Sequence, residues 1–298
     1  FSGSITFIVE HSADHRRGLA GSATVSSLVA GMLLGSLVAS TMSHLLSPED
    51  LSDWGWRIPF LFGLVVGLIG FYIRHHTEES PKYEHTKQAG HLSERPVRDA
   101  FRHHWKEMLQ AIGMYVSVTV PFYVLTIFMI TYYAQILGKP LEESLTINTV
   151  VMVVLMASVT LGGWLSDIYG RRKLLMLAAV GYLLLVWPLF YLIQHGSFGV
   201  VLAAQVFFIL IHGLYIAPIP AILVELFPTS IRYTGMAIAY NVAAAAFGGT
   251  APMVSTWLIK TTGDNYAVAY YIMACSVISL ITLWGYHDRY KEELRHYD

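Results

Sequence analysis

Eight apolar runs, at about 22–46, 58–73, 108–135, 145–165, 174–193, 200–224, 234–258 and 267–286, constrain this chain more than any other feature. A helix rises 1.5 Å per residue, so about 20 such residues cross a hydrocarbon core of roughly 30 Å. Inside that core each backbone polar group must be satisfied within its own element, which leaves helices for runs of this length. The pattern predicts an all-α polytopic membrane protein. Residues 1–10 read as the tail of a further helix, followed by a polar turn, HSADHRRG, at 11–18.

The charges fall where such a fold needs them. All nineteen Lys and Arg and all twenty Asp and Glu lie at run ends or in the stretches between runs. A charge at a helix centre costs about 2.5 to 3.5 kcal/mol on insertion scales. The stretches on one side carry Arg16, Arg17, seven cations between 74 and 107, Arg171, Arg172, Lys173, Arg232, Arg289, Lys291 and Arg295. The other side carries Arg57, Lys139 and Lys260. Cations in short loops stay inside, so the linker at 74–107 and the tail at 287–298 are expected in the cytoplasm and the chain in the cell (inner) membrane. Trp54, Trp56 and Arg57 then sit where a run enters the outer interface, as anchors. No basic stripe interleaved with aromatics offers a nucleic-acid surface. The one cysteine, Cys275, lies inside a run, which excludes a disulfide framework and CxxC metal spacing.

The most structured loop is GGWLSDIYGRRK at 162–173, a tight hairpin between two runs. Asp167 accepts from backbone N–H groups or an arginine, Gly170 permits a sharp turn, and Arg171, Arg172 and Lys173 form a fixed positive cluster. Elsewhere the chain repeats itself. Glu10 and Arg17 recur as Glu225 and Arg232 of ELFPTSIR at an offset of 215, and the runs ending near 73 and 286 are offset by about the same amount. Two homologous halves give this pattern, and the offset places about three and a half helices before Phe1.

The spacing Gly163-x-Leu165-Ser166-Asp167-x-x-Gly170-Arg171-Arg172 resembles the loop signature of the major facilitator superfamily, with Ile168 where that family usually has a basic residue. VEHSADHRRG at 9–18, DWGWRIPFLFG at 53–63, EES-P at 78–81 and ELFPTSIRYTG at 225–235 resemble its metabolite:proton symporter branch, the proline/betaine kind above all. The resemblance implies the major facilitator fold, here helices 4 (a stub) to 12 of a two-half, twelve-helix architecture. Residues 1–73 would be the remnant of the N-terminal half, 74–107 the linker, 108–286 the C-terminal six-helix half and 287–298 the tail. It implies a secondary active transporter that moves a small zwitterionic or carboxylated metabolite with a proton by alternating access. No cofactor is implied beyond the proton as coupling ion. The partners implied are the metabolite, the lipid bilayer and the missing N-terminal helices.

The resemblance also assigns roles. Asp167, Arg171, Arg172, Glu225 and Arg232, with Glu10 and Arg17, correspond to a charge network that holds the inner mouth shut. By physics, charge-assisted pairs there contribute about 1 to 3 kcal/mol, against almost nothing for solvated loop charges. Tyr123 beside Pro121, and Tyr240 with Asn241, fall in helices that line the superfamily's central cavity. His212 is the one imidazole near the centre of a run, which makes it a candidate for that cavity. Its bland alternative is a neutral histidine donating to a carbonyl of the next helix. Gly31-MLL-Gly35, Gly63-LVV-Gly67 and Ala243 to Gly249 read as close helix packing. A membrane enzyme is disfavoured, because thirteen histidines form no HExxH pair and no run carries an acid to act as base. A non-transporting sensor or a decayed transporter remains the alternative.

The cation asymmetry makes a direct prediction. In a Cys275→Ala background, Gln88→Cys and Asp264→Cys should label with a membrane-impermeant maleimide from opposite sides of the membrane. Labelling from the same side would overturn the topology.

Overall fold

The computed structural model describes residues 1–76, 81–90 and 93–294. The EES of the EES-P pattern and residues 295–298 of the tail, Arg295 included, lie outside the described residues. Among the described residues every regular element is helical. In chain order the main helices are α1 (Ser2–Glu10), α2 (Arg17–Leu45), α3 (Arg57–His76), α4 (Trp105–Ile136), α5 (Leu141–Tyr169), α6 (Arg171–His195), α7 (Phe198–Leu226), α8 (Arg232–Thr262) and α9 (Ala267–Trp284). Eight segments are long and apolar enough to cross a membrane, in the places the hydropathy predicts. The stretch between α3 and α4 holds two short helices, Pro81–Gln88 and Pro96–His103, each opened by the proline that the sequence put there.

Glycine and proline decide where the long helices stop or bend. α5 ends at Gly170, whose φ of +95° is open to glycine and strained for other residues. α8 ends on Gly263 in the left-handed region, φ +68°. α7 breaks at Ala217 and Pro218 and resumes at Ile219, because Pro218 has no N–H to continue the ladder. Pro121 lies inside α4 just before a π-helical turn at Val124–Phe128, and α8 has a similar turn at Ala244–Gly248.

In lipid the hydrophobic effect does not drive one apolar helix onto another, so close approach and buried hydrogen bonds must hold the bundle. Both are present. Where α2 crosses α5, Gly18 and Gly163 face each other: a Cβ on either would lie 2.7 Å from the other's carbonyl oxygen. Gly162 and Gly213 play the same part between α5 and α7, where a Cβ on Gly162 would lie 3.1 Å from the Gly213 carbonyl. Side-chain hydroxyls bridge the other helix pairs. Ser279 donates to the Gly113 carbonyl at 2.7 Å and Ser276 to that of Ala179 at 2.6 Å, which ties α9 to α4 and α6. Tyr215 donates to the Met114 carbonyl at 2.9 Å, joining α7 to α4.

Two of the three small-residue faces do not pack as the sequence reading expects. No described atom lies within 4 Å of a Cβ built on Gly31, Gly35, Gly63 or Gly67. These glycines lie on the outer part of α2 and on α3, which among the described residues leans on α2 and the turn at Leu51–Gly55 and leaves Phe60, Leu61, Leu64 and Leu68 exposed. At the foot of α3 the Arg57 guanidinium lies 4.4 Å from the Trp56 ring, the pairing of an interfacial anchor. The third face does pack: a Cβ on Gly248 would meet Thr119 and Tyr123 of α4 at 2.9 Å.

This contrast predicts opposite outcomes for one chemical change. Gly163→Ala should destabilise the folded protein by about 1 to 3 kcal/mol, because backbone blocks the added methyl group. Gly35→Ala should leave the melting temperature in detergent unchanged or slightly higher. Equal melting curves for the two variants would show that the α2–α5 crossing is looser than described.

Candidate functional site

At the cation-rich end of the bundle the two copies of the internal repeat exchange partners. Glu10, at the end of α1, pairs with Arg232 at the start of α8, and Arg17, at the start of α2, pairs with Glu225 near the end of α7 at 3.3 Å. Each glutamate thus takes the arginine of the other copy. All four side chains are buried. Arg232 also donates through Nε to the carbonyls of Val224 at 2.9 Å and Phe227 at 3.1 Å, closing the open end of α7. Arg17 makes a second ion pair, with Asp14.

The loop signature joins this cluster through Arg171, whose guanidinium lies 2.9 Å from Glu225 and 3.5 Å from Asp167. Asp167 is chiefly a helix cap. Its carboxylate accepts from the backbone N–H groups of Gly18 at 2.8 Å and Leu19 at 2.9 Å, the first turn of α2. A carboxylate there satisfies orphan donors and meets the positive end of the helix dipole. Glycine at 18 lets it approach, since a Cβ would lie 2.7 Å from Asp167 Oδ1. Arg172 turns the other way: it donates to the carbonyls of Leu283 at 3.0 Å and Trp284 at 2.8 Å, capping the C-terminus of α9.

Four participants escaped the sequence reading: Asp14 in the turn before α2, Tyr286 just beyond α9, and Asp288 and Glu292 in the tail. Asp288 accepts from the Arg172 backbone N–H at 2.9 Å and caps α6 as Asp167 caps α2. The Glu292 carbonyl accepts from Arg17 Nη1 at 2.7 Å. Tyr286 is buried, and burial, with Glu225 and Asp288 nearby, pushes its phenol well above the usual range, so it stays neutral. The available signal was the charged stretch after the last apolar run, with acids at 288, 292 and 293.

A few residues further into the bundle, α1, α2, α4, α7 and α8 line a cavity of about 310 Å³. Tyr123 and Tyr240 line it, together with Phe1, Ile5, Met32, Tyr115, Thr119, Phe122, Pro220 and Leu223. Asn241 and His212 do not. One residue turns a helix by about 100°, so with Tyr240 on the cavity wall Asn241 points aside. Its amide donates to its own helix, at the Ala237 carbonyl. His212 is fully buried behind Phe122, and its Nδ1 lies 2.7 Å from the Tyr182 hydroxyl of α6. It joins α7 to α6 through a hydroxyl, where the sequence reading considered a carbonyl. Tyr115, Thr119 and Tyr123 recur every four residues on α4, a helical-face signal that would have found the first two.

Comparison with known proteins agrees with this architecture. The family described as major facilitator superfamily matches residues 1–162, and the one described as sugar (and other) transporter matches residues 85–297. A glycine betaine/proline/ectoine/pipecolic acid transporter of Dickeya dadantii is 31% identical over 291 residues, and a proline/betaine transporter of Salmonella typhimurium is 30% identical over 291. In both cases the match covers 95% of this chain and 58% of the relative, so the chain spans a little over half the length of these relatives. A solved proton:xylose symporter bound to 6-bromo-6-deoxy-D-glucose shares the fold at a TM-score of 0.77 and 19% identity, over 98% of this chain and 68% of the other. With matched patterns reaching from residue 1 to residue 297 and a fold of this kind, the chain belongs to the major facilitator superfamily.

Proposed function

We propose that this chain belongs to a secondary active transporter that carries a small zwitterionic or carboxylated metabolite, an osmolyte of the proline/betaine kind, together with a proton. It works by alternating access in the inner membrane, with the linker and tail in the cytoplasm. The observation that carries this reading is the reciprocal exchange of buried ion pairs, Glu10 with Arg232 and Arg17 with Glu225, at one end of a cavity between the helices. Pairs that bind one half of the fold to the other at a single end hold that mouth shut, and the cavity behind them can then open only the other way. The relatives, named as proline and betaine transporters, support the substrate class, and the match to a proton symporter supports only the fold.

The test is uptake by cells that lack their own osmolyte carriers and express the protein from its gene. Radiolabelled proline and glycine betaine should accumulate saturably, and a protonophore should abolish the accumulation. Uptake that survives the protonophore would remove the proton from the mechanism. No uptake by a correctly inserted protein would remove transport of these substrates.

The network adds a sharper prediction. Glu225→Gln leaves Arg17 and Arg171 buried beside a neutral partner, a change of about 3 to 5 kcal/mol when one member of a buried pair is lost. Asp167→Asn weakens the α2 cap. Both should lower uptake by about fivefold or more through the balance between the two open states, with membrane insertion unchanged. Parental uptake in both variants would make these residues structural only.

A further inference from the structure

The short helix Pro96–His103, which leads into α4, has three sides of different chemistry. Ala100 is fully buried, and the helix packs against α4 and the first half of α8. Val97 and Phe101, four residues apart and so on one face, are exposed. The spacing carries on past the turn at His104, where Trp105 and Leu109 of α4 follow and are exposed as well. Leu109 belongs to a membrane span, so this apolar line runs from the linker onto the outer side of that span. Arg98, Arg102 and Lys106 each come one residue after an apolar member, which on a helix sets a cation about 100° round from it. Arg95 stands just before them, and all four cations are exposed. Among the described residues none of the four pairs with a carboxylate: Asp99 accepts from the Ser93 hydroxyl, and Glu107 stands beside His104 at 3.7 Å. Lys106 Nζ lies 5.7 Å from the Trp105 ring instead.

We infer that this segment is a binding site for anionic phospholipid headgroups at the inner face of the membrane. Arg98, Arg102 and Lys106, with Arg95, hold the phosphates, while Val97, Phe101, Trp105 and Leu109 enter the boundary of the acyl chains. Leu109 fixes the depth. One turn before it comes Trp105, an indole where α4 leaves the apolar core, and one turn further out comes Phe101. A helix that lies in the interface in this way buries its apolar face and turns its cations to the headgroups. Arg98 and Arg102 are one turn apart on a shared face, close enough to reach one phosphate, and the planar fork of each guanidinium matches its oxygens. A zwitterionic headgroup brings a cation of its own to that phosphate, whereas an anionic one leaves its charge to the protein, so the site discriminates by net charge. An acidic soluble protein would match the cations, but it gives no reason for an apolar line continuous with a membrane span. The site is independent of what the protein carries. It fastens the linker to the bilayer beside α8, the helix that begins with Arg232 of the buried ion pairs.

The test places a bimane fluorophore at Val97→Cys in a Cys275→Ala background, with Gln88→Cys, also exposed, as the control. The protein, expressed from its gene, is reconstituted in phosphatidylcholine vesicles with or without phosphatidylglycerol, and each vesicle carries a lipid with a nitroxide near the top of its acyl chain. The label at 97 should be quenched about twofold or more strongly when phosphatidylglycerol is present, and the label at 88 in neither vesicle. The difference should vanish at about 1 M salt, where screening acts over roughly 3 Å. It should also vanish when Arg98→Gln, Arg102→Gln and Lys106→Gln are combined. Equal quenching in the two vesicles overturns the site, and so does a combined variant that behaves as the parent. Should that variant not fold, the comparison of the two vesicles still decides. A label at 97 that neither the lipid nitroxide nor aqueous iodide quenches would mean that protein covers this face, which also overturns the proposal. Inorganic phosphate that removes the phosphatidylglycerol effect at constant ionic strength would make a soluble anion the occupant and overturn the lipid.

Discussion

The exchange of Glu10 with Arg232 and Arg17 with Glu225 is the interaction on which the rest of this structure depends. Buried ions are costly unless each meets a partner of opposite charge in good geometry. Here ion pairs run from one copy to the other, although each copy holds a glutamate and an arginine seven residues apart. Asp14 and Arg171 add further partners for Arg17 and Glu225. The desolvation of four ionised side chains therefore becomes a force that holds α1 and α2 against α7 and α8, where apolar contact alone gives helices in lipid little reason to associate.

The other features of this end follow from that requirement. To bring Arg17 to Glu225, α2 must start close against α5, and the first turn of α2 is indeed held by the Asp167 carboxylate. That approach needs small residues on both backbones, which explains Gly18 and Gly163 together. Arg171 then stands between Asp167 and Glu225 and makes the cap and the ion pairs one cluster. The tail completes it from outside, with Asp288 on the start of α6 and the Glu292 carbonyl on Arg17. On the proposed gating role, movement of α5 away from α2 would break the Asp167 cap on the first turn of α2.

Much of this was legible in the sequence, for physical reasons that differ between the parts. The eight spans could be read because lipid imposes length and apolarity on any helix that crosses it, and the charges at their ends because burial excludes them from the middle. The repeat offset of 215 already paired position 10 with 225 and 17 with 232. It could not say that the contacts run crosswise, since homology relates equivalent positions and contact relates complementary ones. Tyr240 was legible and its neighbour Asn241 was misplaced, because composition finds a helix and only its rotation decides which residue faces the cavity. His212 was misplaced for a related reason: its Nδ1 is bonded to the Tyr182 hydroxyl of α6, on the side away from the cavity. The inner glycines of Gly31-MLL-Gly35 and Gly63-LVV-Gly67 show the limit of motif reading, since the same spacing marks a packed face or an open one.

The cluster is incompletely satisfied. Arg17 Nε, Arg171 Nε and Nη1, and Glu225 Oε2 are buried and make no hydrogen bond to a described residue. In a purely structural network such atoms would be a defect, since each unmet buried polar group costs about 1 to 3 kcal/mol. In a gate they set the depth of the closed state. A saturated set of buried pairs, at about 3 to 5 kcal/mol for each one broken, would lock the two halves together beyond what the binding of a small metabolite can reverse. On the proposed gating role, a network short of full pairing would hold the closed arrangement less tightly than a saturated one. Both states must be populated for alternating access to turn over. The unmet atoms belong to Arg17, Arg171 and Glu225, the three side chains that connect the repeat pairing to the loop signature.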